Sequence, residues 1–460
     1  MNTLLSDKHI TQVIHIADLH VRVGNNEIAR VPEYAHVFDG FYQEIAQLPS
    51  VKAETALLVI CGDVFHSKCR MESAATDLFF DWINRLLDTL PIIVICGNHD
   101  FKQEDPSLTD SIEMFTKPYA NSGRRHSLVY LKESGRYTWG NVGFGLVSVK
   151  DTLRAFNTAG VVEDLPDFPD TDGFPSTVTS TVALFHGTIS QSALPSGRAA
   201  ETVAHGYPLD WFSGYDMVML GDNHKQQLHQ ENKEKKSMQW GYPGSLVQQD
   251  FGETLYGHGY ILWDIEANSG HLHHVPNMFG SITVIKNALD NYLVCTDPKK
   301  TMIIGDAVKV ADFPIQPRVR VIGDKDDIEN VRSLLKNYKI VPSLMIVRNA
   351  SSEIAQYTGG GNDDTNTLDN KMSQLAHLNS PDCWENYMTG VDGRKTHQVT
   401  EWIHNATKML IPCESPLSTL STFGWVEPGK MTEVDGYIKS NTHIPRPLFW
   451  KSFITSQKPG

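Results

Sequence analysis

Short apolar runs and amphipathic stretches alternate along the first half of the chain. Val13 to Ile16, Ala56 to Cys61, Ile92 to Cys96, Val182 to Phe185 and Met217 to Leu220 are brief and rich in Val, Ile and Leu. Runs of that length and composition predict strands buried on both faces. Between them, Glu33 to Leu48 and Glu72 to Leu90 place apolar residues at helical spacing, as in Leu78, Phe79, Trp82, Ile83 and Leu86. Alternating strands and helices predict an α/β layered core. Phe156 to Ser180 carries Pro166, Pro169, Gly173 and Pro175 and reads as a long surface excursion.

The texture changes after about residue 280. Val319 to Ile322, a helical Asp327 to Leu335 and Leu344 to Val347 read as a small β-α-β unit. Thr358 to Asp364 (TGGGNDD) has the composition of a flexible linker. Beyond it, Val399, Trp402, Ile403, Ala406, Met409 and Leu410 form an apolar stripe at helical spacing, and Leu368, Met372 and Leu375 hint at another. From Glu414 onward no clear period is present, and no internal repeat stands out.

Composition narrows the class. A chain of 460 residues suggests two or three units. Its 40% hydrophobic and 20% charged residues are those of a globular protein with a real core. No apolar run approaches the ~18 residues of a membrane span, and the Met1 to Lys8 segment is unlike a secretory signal. The expectation is an intracellular protein, cytoplasmic or nuclear, with no membrane partner. Six cysteines include no Cys-x-x-Cys pair, and Cys61 and Cys96 end apolar runs as core thiols do. A net charge of -14 argues against coating nucleic acid by bulk electrostatics. It leaves room for a phosphate substrate, because bound cations reverse the local sign.

Five motifs share one grammar, an apolar run followed by metal-ligand residue types. They are Asp18-Leu19-His20, Gly62-Asp63, Gly97-Asn98-His99-Asp100, His186-Gly187 and Gly221-Asp222-Asn223-His224. In α/β sheets, residues beyond the carboxyl ends of strands converge on sites. Carboxylates with neutral imidazoles suit borderline divalent ions such as Mn²⁺, Fe²⁺ or Zn²⁺. A pair of metals needs a bridging group, which one Asp can supply. Asp18, Asp63 and Asp222 set against two divalent ions leave one formal positive charge, suited to a phosphodiester anion. Taken singly, the motifs have plainer readings: Asp-x-His by chance, Gly-Asp and Gly-Asn-His-Asp as turns, His186 as a hydrogen-bonded core residue. All five at strand ends, in order, point to one metal centre.

This ordered set resembles the calcineurin-like metallophosphoesterase superfamily over residues 11 to 266. Two details are most similar to the SbcD-type nuclease subunit of double-strand-break repair complexes: Gly62-Asp63-Val64-Phe65-His66-Ser67, and Gly241-Tyr242-Pro243-Gly244-Ser245 followed by Asp250-Phe251-Gly252-Glu253. The resemblance implies a layered β-sandwich flanked by helices, a small α+β cap domain and C-terminal helices. It implies that Asp18, His20 and His224 hold one metal, that Asn98, His186 and Asp222 hold the other, and that Asp63 bridges. His99 would be the general acid protonating the leaving 3′ oxygen, Asp100 would orient His99, and His66 would position the scissile phosphate. The family commonly has Gly-His-x-His in its last motif, so Asp222 stands where a histidine is usual.

The implied domains are a nuclease domain (1–280), a capping DNA-binding domain (281–350), a linker (351–370), a helical partner-binding segment (371–412) and a tail of unassigned role (413–460). The function implied is a 3′-to-5′ exonuclease and endonuclease of DNA repair or recombination, acting on duplex ends and single strands. Two divalent ions, Mn²⁺ first among them, would serve it. The apolar stripe Val399 to Leu410 would dock an SMC-like ATPase of the SbcC type, although intramolecular packing is the commoner reason for such a stripe; a homodimer is left open. Lys233, Lys235 and Lys236 read as a solvated loop or a phosphate contact. Two alternatives stand beside this: a phosphatase or cyclic-nucleotide phosphodiesterase with the same chemistry, and a metal-free scaffold. The scaffold fits poorly, because His99 and all seven ligand positions hold coordinating side chains.

Overall fold

A computed structural model of the chain describes residues 2–23, 30–67, 72–120, 122–153, 164–193, 206–233, 236–286, 291–297 and 300–348. Two sheets form the larger part. The six-stranded sheet has the order β13 (Ser269–His274), β12 (Gly259–Asp264), β2 (Gln12–Ile16), β3 (Ala56–Cys61), β4 (Ile92–Ile95), β5 (Leu128–Leu131). Strands β2 to β5 run parallel, with Val13 opposite Leu57 and Val59 opposite Ile93. Strand β12 closes on β2 and β13 antiparallel. The seven-stranded sheet has the order β1 (Asn2–Ser6), β6 (Gly135–Trp139), β7 (Val142–Leu146), β8 (Ser180–His186), β9 (Met217–Gly221), β11 (Lys236–Tyr242), β10 (Gln227–Lys233). Strands β7, β8, β9 and β11 are parallel neighbours.

The near-continuous apolar runs follow from burial on both faces. Side chains alternate across a strand, and here both directions are dry. Val13, Leu57, Val59, Ile93 and Ile95 meet Val142, Phe144, Val182, Leu184, Met217 and Met219 of the facing sheet. Ile14, Ile16, Leu58, Ile60, Ile92 and Val94 point the other way, onto helices α1 (Val31–Ile45) and α3 (Ser73–Leu87). The short α2 (Pro49–Lys52) lies between them in sequence. Trp82 ties the helix pair: its indole stacks on Phe38 at 4.0 Å and donates to the Phe38 carbonyl at 3.1 Å. Helix α4 (Ser111–Thr116) is capped by Asp110, whose carboxylate accepts from the Glu113 amide at 2.7 Å. The expected surface excursion is corrected in part. Leu165, Phe168 and Phe174 pack on the outer face of the second sheet, against Phe185 and Phe212 among others.

A third sheet follows, in the order β16 (Lys300–Ile303), β15 (Tyr292–Asp297), β14 (Ser281–Lys286), β17 (Arg318–Ile322), β18 (Leu344–Arg348). Two helices accompany it, α5 (Ile304–Ala307) and α6 (Lys325–Asn337). Its core joins Ile282, Val284, Val294, Val319 and Val321 to Val331 and Leu335 of α6. The β-α-β unit read from the sequence is β17, α6 and β18. Residues 1–285, 292–321 and 325–346 form one compact unit; the other, 286–291, 322–324 and 347–460, lies mostly outside the described residues. So do the linker, the amphipathic stripe Val399 to Leu410, the tail, and Lys235. Lys233 and Lys236 are paired across the hairpin of β10 and β11. Among the described residues, no helix is long and apolar enough to cross a membrane.

Within the larger unit, buried charges join the third sheet to the first. Glu33 of α1 accepts from both ends of the Arg318 guanidinium on β17, from Arg30 Nε at 2.9 Å, and from Asn277 at 2.9 Å. Burial works against the Glu33 charge, yet Arg30 and Arg318 outweigh it and hold the pKa below the ordinary glutamate value. This contribution is therefore present above the unfolded glutamate pKa and is lost as pH falls through the depressed one. Glu33→Ala strands two buried guanidiniums and is expected to cost roughly 3–5 kcal/mol. Chemical denaturation of the variant at neutral pH checks this, and an unchanged midpoint would contradict it.

Candidate metal centre

The parallel strands end at one edge of the sandwich, and the chemistry collects there. Asp18 and His20 follow β2, Asp63 follows β3, and Asn98, His99 and Asp100 follow β4. From the other sheet, His186 ends β8, and Asp222 and His224 follow β9. Asp18, His20, Asp63 and Asp222 all have positive φ, at 53°, 43°, 54° and 89°. Such φ values are uncommon away from glycine and gather at functional sites, where surrounding contacts hold them. Tyr34 Oη donates to the His20 carbonyl at 2.6 Å, and the Asp222 amide donates to Asp18 at 3.0 Å. The motif glycines serve close approach. A Cβ on Gly97 would lie 2.3 Å from the Asp63 amide nitrogen, and one on Gly221 would lie 2.0 Å from the Cys61 carbonyl oxygen.

Asp63 sits at the middle. Its Oδ2 is 3.4 Å from His20 Nε2 and its Oδ1 is 3.4 Å from His186 Nε2. On the first side, His20 Nε2 lies 3.0 Å from His224 Nε2, and one ligand atom from each of Asp18, His20 and His224 falls within 4.8 Å of the others. On the second side, Asp18, Asp63 and His186 form a similar group. There Asn98 Nδ2 donates to Asp222 Oδ1 at 3.1 Å, and that oxygen is 3.9 Å from His186 Nε2. The structure brings together all seven expected ligands.

Two imidazoles have their tautomers set from behind. His186 Nδ1 donates to the Cys61 carbonyl at 2.7 Å, leaving Nε2 buried with no partner. His224 Nδ1 meets Glu253 Oε1 at 2.6 Å, which turns Nε2 toward His20. Such outer partners orient metal-binding histidines. Electrostatics agrees with a cation site. Burial pushes the Asp18 carboxyl up to about 7, against the pull of His186 and His224. Burial opposes charge on His224, but Glu253, Asp18 and Asp63 prevail and raise it to about 10. Both shifts express one fact: carboxylates crowded in a dry place draw positive charge, which protons or divalent ions can supply.

The remaining expected residues are nearby, with one correction. His99 presents Nδ1 to the His66 carbonyl at 3.0 Å, and its backbone amide donates to Asp63 Oδ1 at 2.8 Å. Asp100 does not orient His99. Its buried carboxylate accepts from the amides of Asp63 at 2.7 Å, Gly97 at 2.9 Å and Val64 at 3.1 Å, and from Ser111 Oγ at 3.2 Å. With its carboxylate held by these amides, Asp100 braces the Asp63 turn instead. The role of turning His99 falls to a carbonyl.

Sequence reasoning missed several contributors. Arg22 lies against His66, with Nη1 2.9 Å from Nε2 and 3.0 Å from Nδ1. Its only signal was a position two residues after His20. Thr188 Oγ1 donates to Asp222 Oδ2 at 2.6 Å, and Glu253 also receives the Gln249 amide at 2.8 Å. The Phe-Gly-Glu segment entered as a resemblance; its Glu253 backs the His224 ligand.

A sandwich with acid and imidazole side chains gathered at its strand ends is suited to holding divalent metal ions. The chain belongs to the calcineurin-like phosphoesterase family, whose profile matches residues 11–258. An uncharacterized protein of Acanthamoeba polyphaga mimivirus is 29% identical over 299 residues, 65% of this chain and 20% of that protein. The chain thus aligns with about a fifth of that relative's length. A protein named putative phosphoesterase, from Invertebrate iridescent virus 6, is 24% identical over 344 residues, 71% of this chain and 98% of its own. A solved dimetal phosphatase from Danio rerio has 11% identity and a TM-score of 0.32, covering 65% of this chain and 99% of that one.

The family implies a pair of divalent metal ions, and the residues present fit. Three buried polar atoms here lack any hydrogen-bond partner: His20 Nδ1, Asn98 Oδ1 and His186 Nε2. Orphaned buried acceptors are costly in a folded protein. Metal coordination relieves that cost at Asn98 and His186.

Proposed function

We propose that the chain is a two-metal DNA nuclease, cutting phosphodiester bonds as a 3′-to-5′ exonuclease and endonuclease in DNA repair or recombination. The observation that carries the two-metal reading is Asp63, whose two carboxylate oxygens face His20 on one side and His186 on the other. Asp18, His20 and His224 would hold one ion, Asn98, His186 and Asp222 the second, with Asp63 shared; Mn²⁺ suits this mixture of oxygen and nitrogen donors. The ions would supply Lewis-acid activation of water and charge neutralisation at phosphorus. The chain's own groups do the rest. His99 Nδ1 is engaged by the His66 carbonyl, so Nε2 is the atom left to hand a proton to the departing 3′ oxygen. Asp100 keeps the Asp63 turn from shifting. His66 positions the scissile phosphate beside His99.

The nuclease branch is favoured over a small-substrate phosphatase by two supports. The residues around Gly62–Ser67 and Gly241–Ser245 resemble that branch. The third sheet is also tied by Gln248 and Ser281 to the Gln249–Glu253 segment that backs the site. An SMC-like ATPase partner docking on Val399 to Leu410 belongs to the same proposal. Purified full-length chain with Mn²⁺ is expected to degrade end-labelled duplex DNA. Hydrolysis of p-nitrophenyl phosphate alone would overturn the nuclease reading in favour of a phosphatase. Failure on both substrates, with no metal taken up, would favour a scaffold.

A further inference from the structure

We propose that Arg22 is a direct anchor for the substrate's phosphate, a binding residue on the His66 and His99 side of the centre. The inference rests on the phosphoesterase reading and adds a residue to it. Val21 pairs with Phe65, and the His66 amide donates to the Val21 carbonyl at 3.3 Å. Segment 20–23 therefore runs beside segment 63–66, and the Arg22 side chain lands against His66.

Arginine is seldom buried without a carboxylate. Arg22 is partly buried, yet it makes no ion pair among the described residues. Asp250 and Glu253 act on it from a distance, while burial opposes its charge. Its two contacts are neutral: the His66 ring, and the Gln249 carbonyl at 2.6 Å. The neighbouring arginines are differently placed, since Arg30 and Arg318 share Glu33. With Glu33 taken by Arg30 and Arg318, and Glu253 hydrogen-bonded to His224, the Arg22 charge is answered only from a distance.

Those contacts leave part of the guanidinium's five donors unused. Nη1 and Nη2 hold those contacts, while Nε makes no hydrogen bond among the described residues and is not one of the buried atoms lacking a partner, so that edge of the guanidinium opens toward accessible space. A planar fork with free N–H groups matches two oxygens of one phosphate. A phosphodiester docked between His66 and the metal ligands would be the missing counter-ion. Without substrate the charge is poorly compensated; with substrate it is paired.

The test uses the full chain loaded with Mn²⁺ and its variants R22M and R22K, with bis-p-nitrophenyl phosphate as the diester. A charge-assisted hydrogen bond lost from the complex is worth about 1.5–3 kcal/mol, or roughly a 10- to 100-fold change in affinity. R22M is expected to raise KM by about that factor while keeping its metal content and losing less in kcat; R22K recovers part of the loss. A second readout avoids turnover: binding of thymidine 5′-phosphate to the metal-free chain, expected to weaken in the same order. Unchanged KM and unchanged nucleotide binding in both variants would overturn the proposal. If R22M does not fold, R22K against wild type decides alone, because losing the fork with the charge kept must still weaken both. Should the wild type hydrolyse no phosphoester, the functional reading fails, while the nucleotide titration still judges Arg22.

Discussion

His99→Ala is expected to keep both metals and to lower kcat by about 10²- to 10⁴-fold, the usual worth of a positioned general acid. The change removes an imidazole that reaches no ligand position in the two-ion arrangement. His20, His66 and His99 do offer ring nitrogens close enough to hold an ion by themselves. A cation there is disfavoured, because the Arg22 guanidinium already lies 2.9 Å from His66 Nε2. A positive ion would have to displace it. The alanine variant keeps the backbone amide that donates to Asp63 Oδ1, so the bridging carboxylate stays in place. Elemental analysis beside steady-state kinetics checks the expectation. Loss of metal from the variant would mean that His99 is a ligand and that the proton comes from elsewhere. A substrate with a far better leaving group should narrow the deficit, since it needs less protonation.

Asp63→Asn is expected to have the larger effect. Asparagine tolerates the left-handed backbone that Asp63 adopts at φ 54°, and its Oδ1 can still accept from the His99 amide. The local fold is therefore kept. What disappears is one negative charge and the second anionic oxygen, the one facing His20 at 3.4 Å. Bound metal should fall below two ions per chain. Turnover should fall on the order of 10³-fold or more, since each ion supplies several kcal/mol of charge stabilisation in the transition state. Metal content after dialysis, with thermal melting to show the chain still folds, is the measurement. Two tightly held ions in the asparagine variant would place the bridge on another residue.

The contrast between these two variants separates chemistry from assembly. In the proposed roles, one would remove a proton donor from an intact centre, and the other the group that joins its two halves. Had the sites been independent, Asp63→Asn would empty only one. The geometry argues for coupling, because each Asp63 oxygen faces a histidine from a different sheet.

Much of this arrangement was legible in the residues. Strands β3 and β9 were readable because burial on both faces leaves no polar position to interrupt the run, and β2 because the buried His15 alone interrupts Val13 to Ile16. The clustering of the candidate ligands was readable because each follows such a run, and parallel sheets gather residues beyond their strand ends. Phe168 was not readable as core: its prolines and glycine neighbours signal a loop, and only the exposed face of a seven-stranded sheet gives a loop something apolar to cover. The error over Asp100 has the same origin. Adjacent residues suggest a pair, yet the carboxylate is drawn to four donors from the Asp63 turn, Gly97 and Ser111.

By itself the sequence determined the layered α/β class, the order of the strands that carry ligands, and the residue types that meet. These follow from local period and chemistry, which a linear chain displays directly. The tertiary structure decided which partner stands behind each ligand: Cys61 behind His186, Glu253 behind His224, the His66 carbonyl behind His99. It also decided that Arg22 pairs with no carboxylate among the described residues. Those facts depend on distances between segments tens or hundreds of residues apart, set by packing of whole sheets rather than by any local pattern.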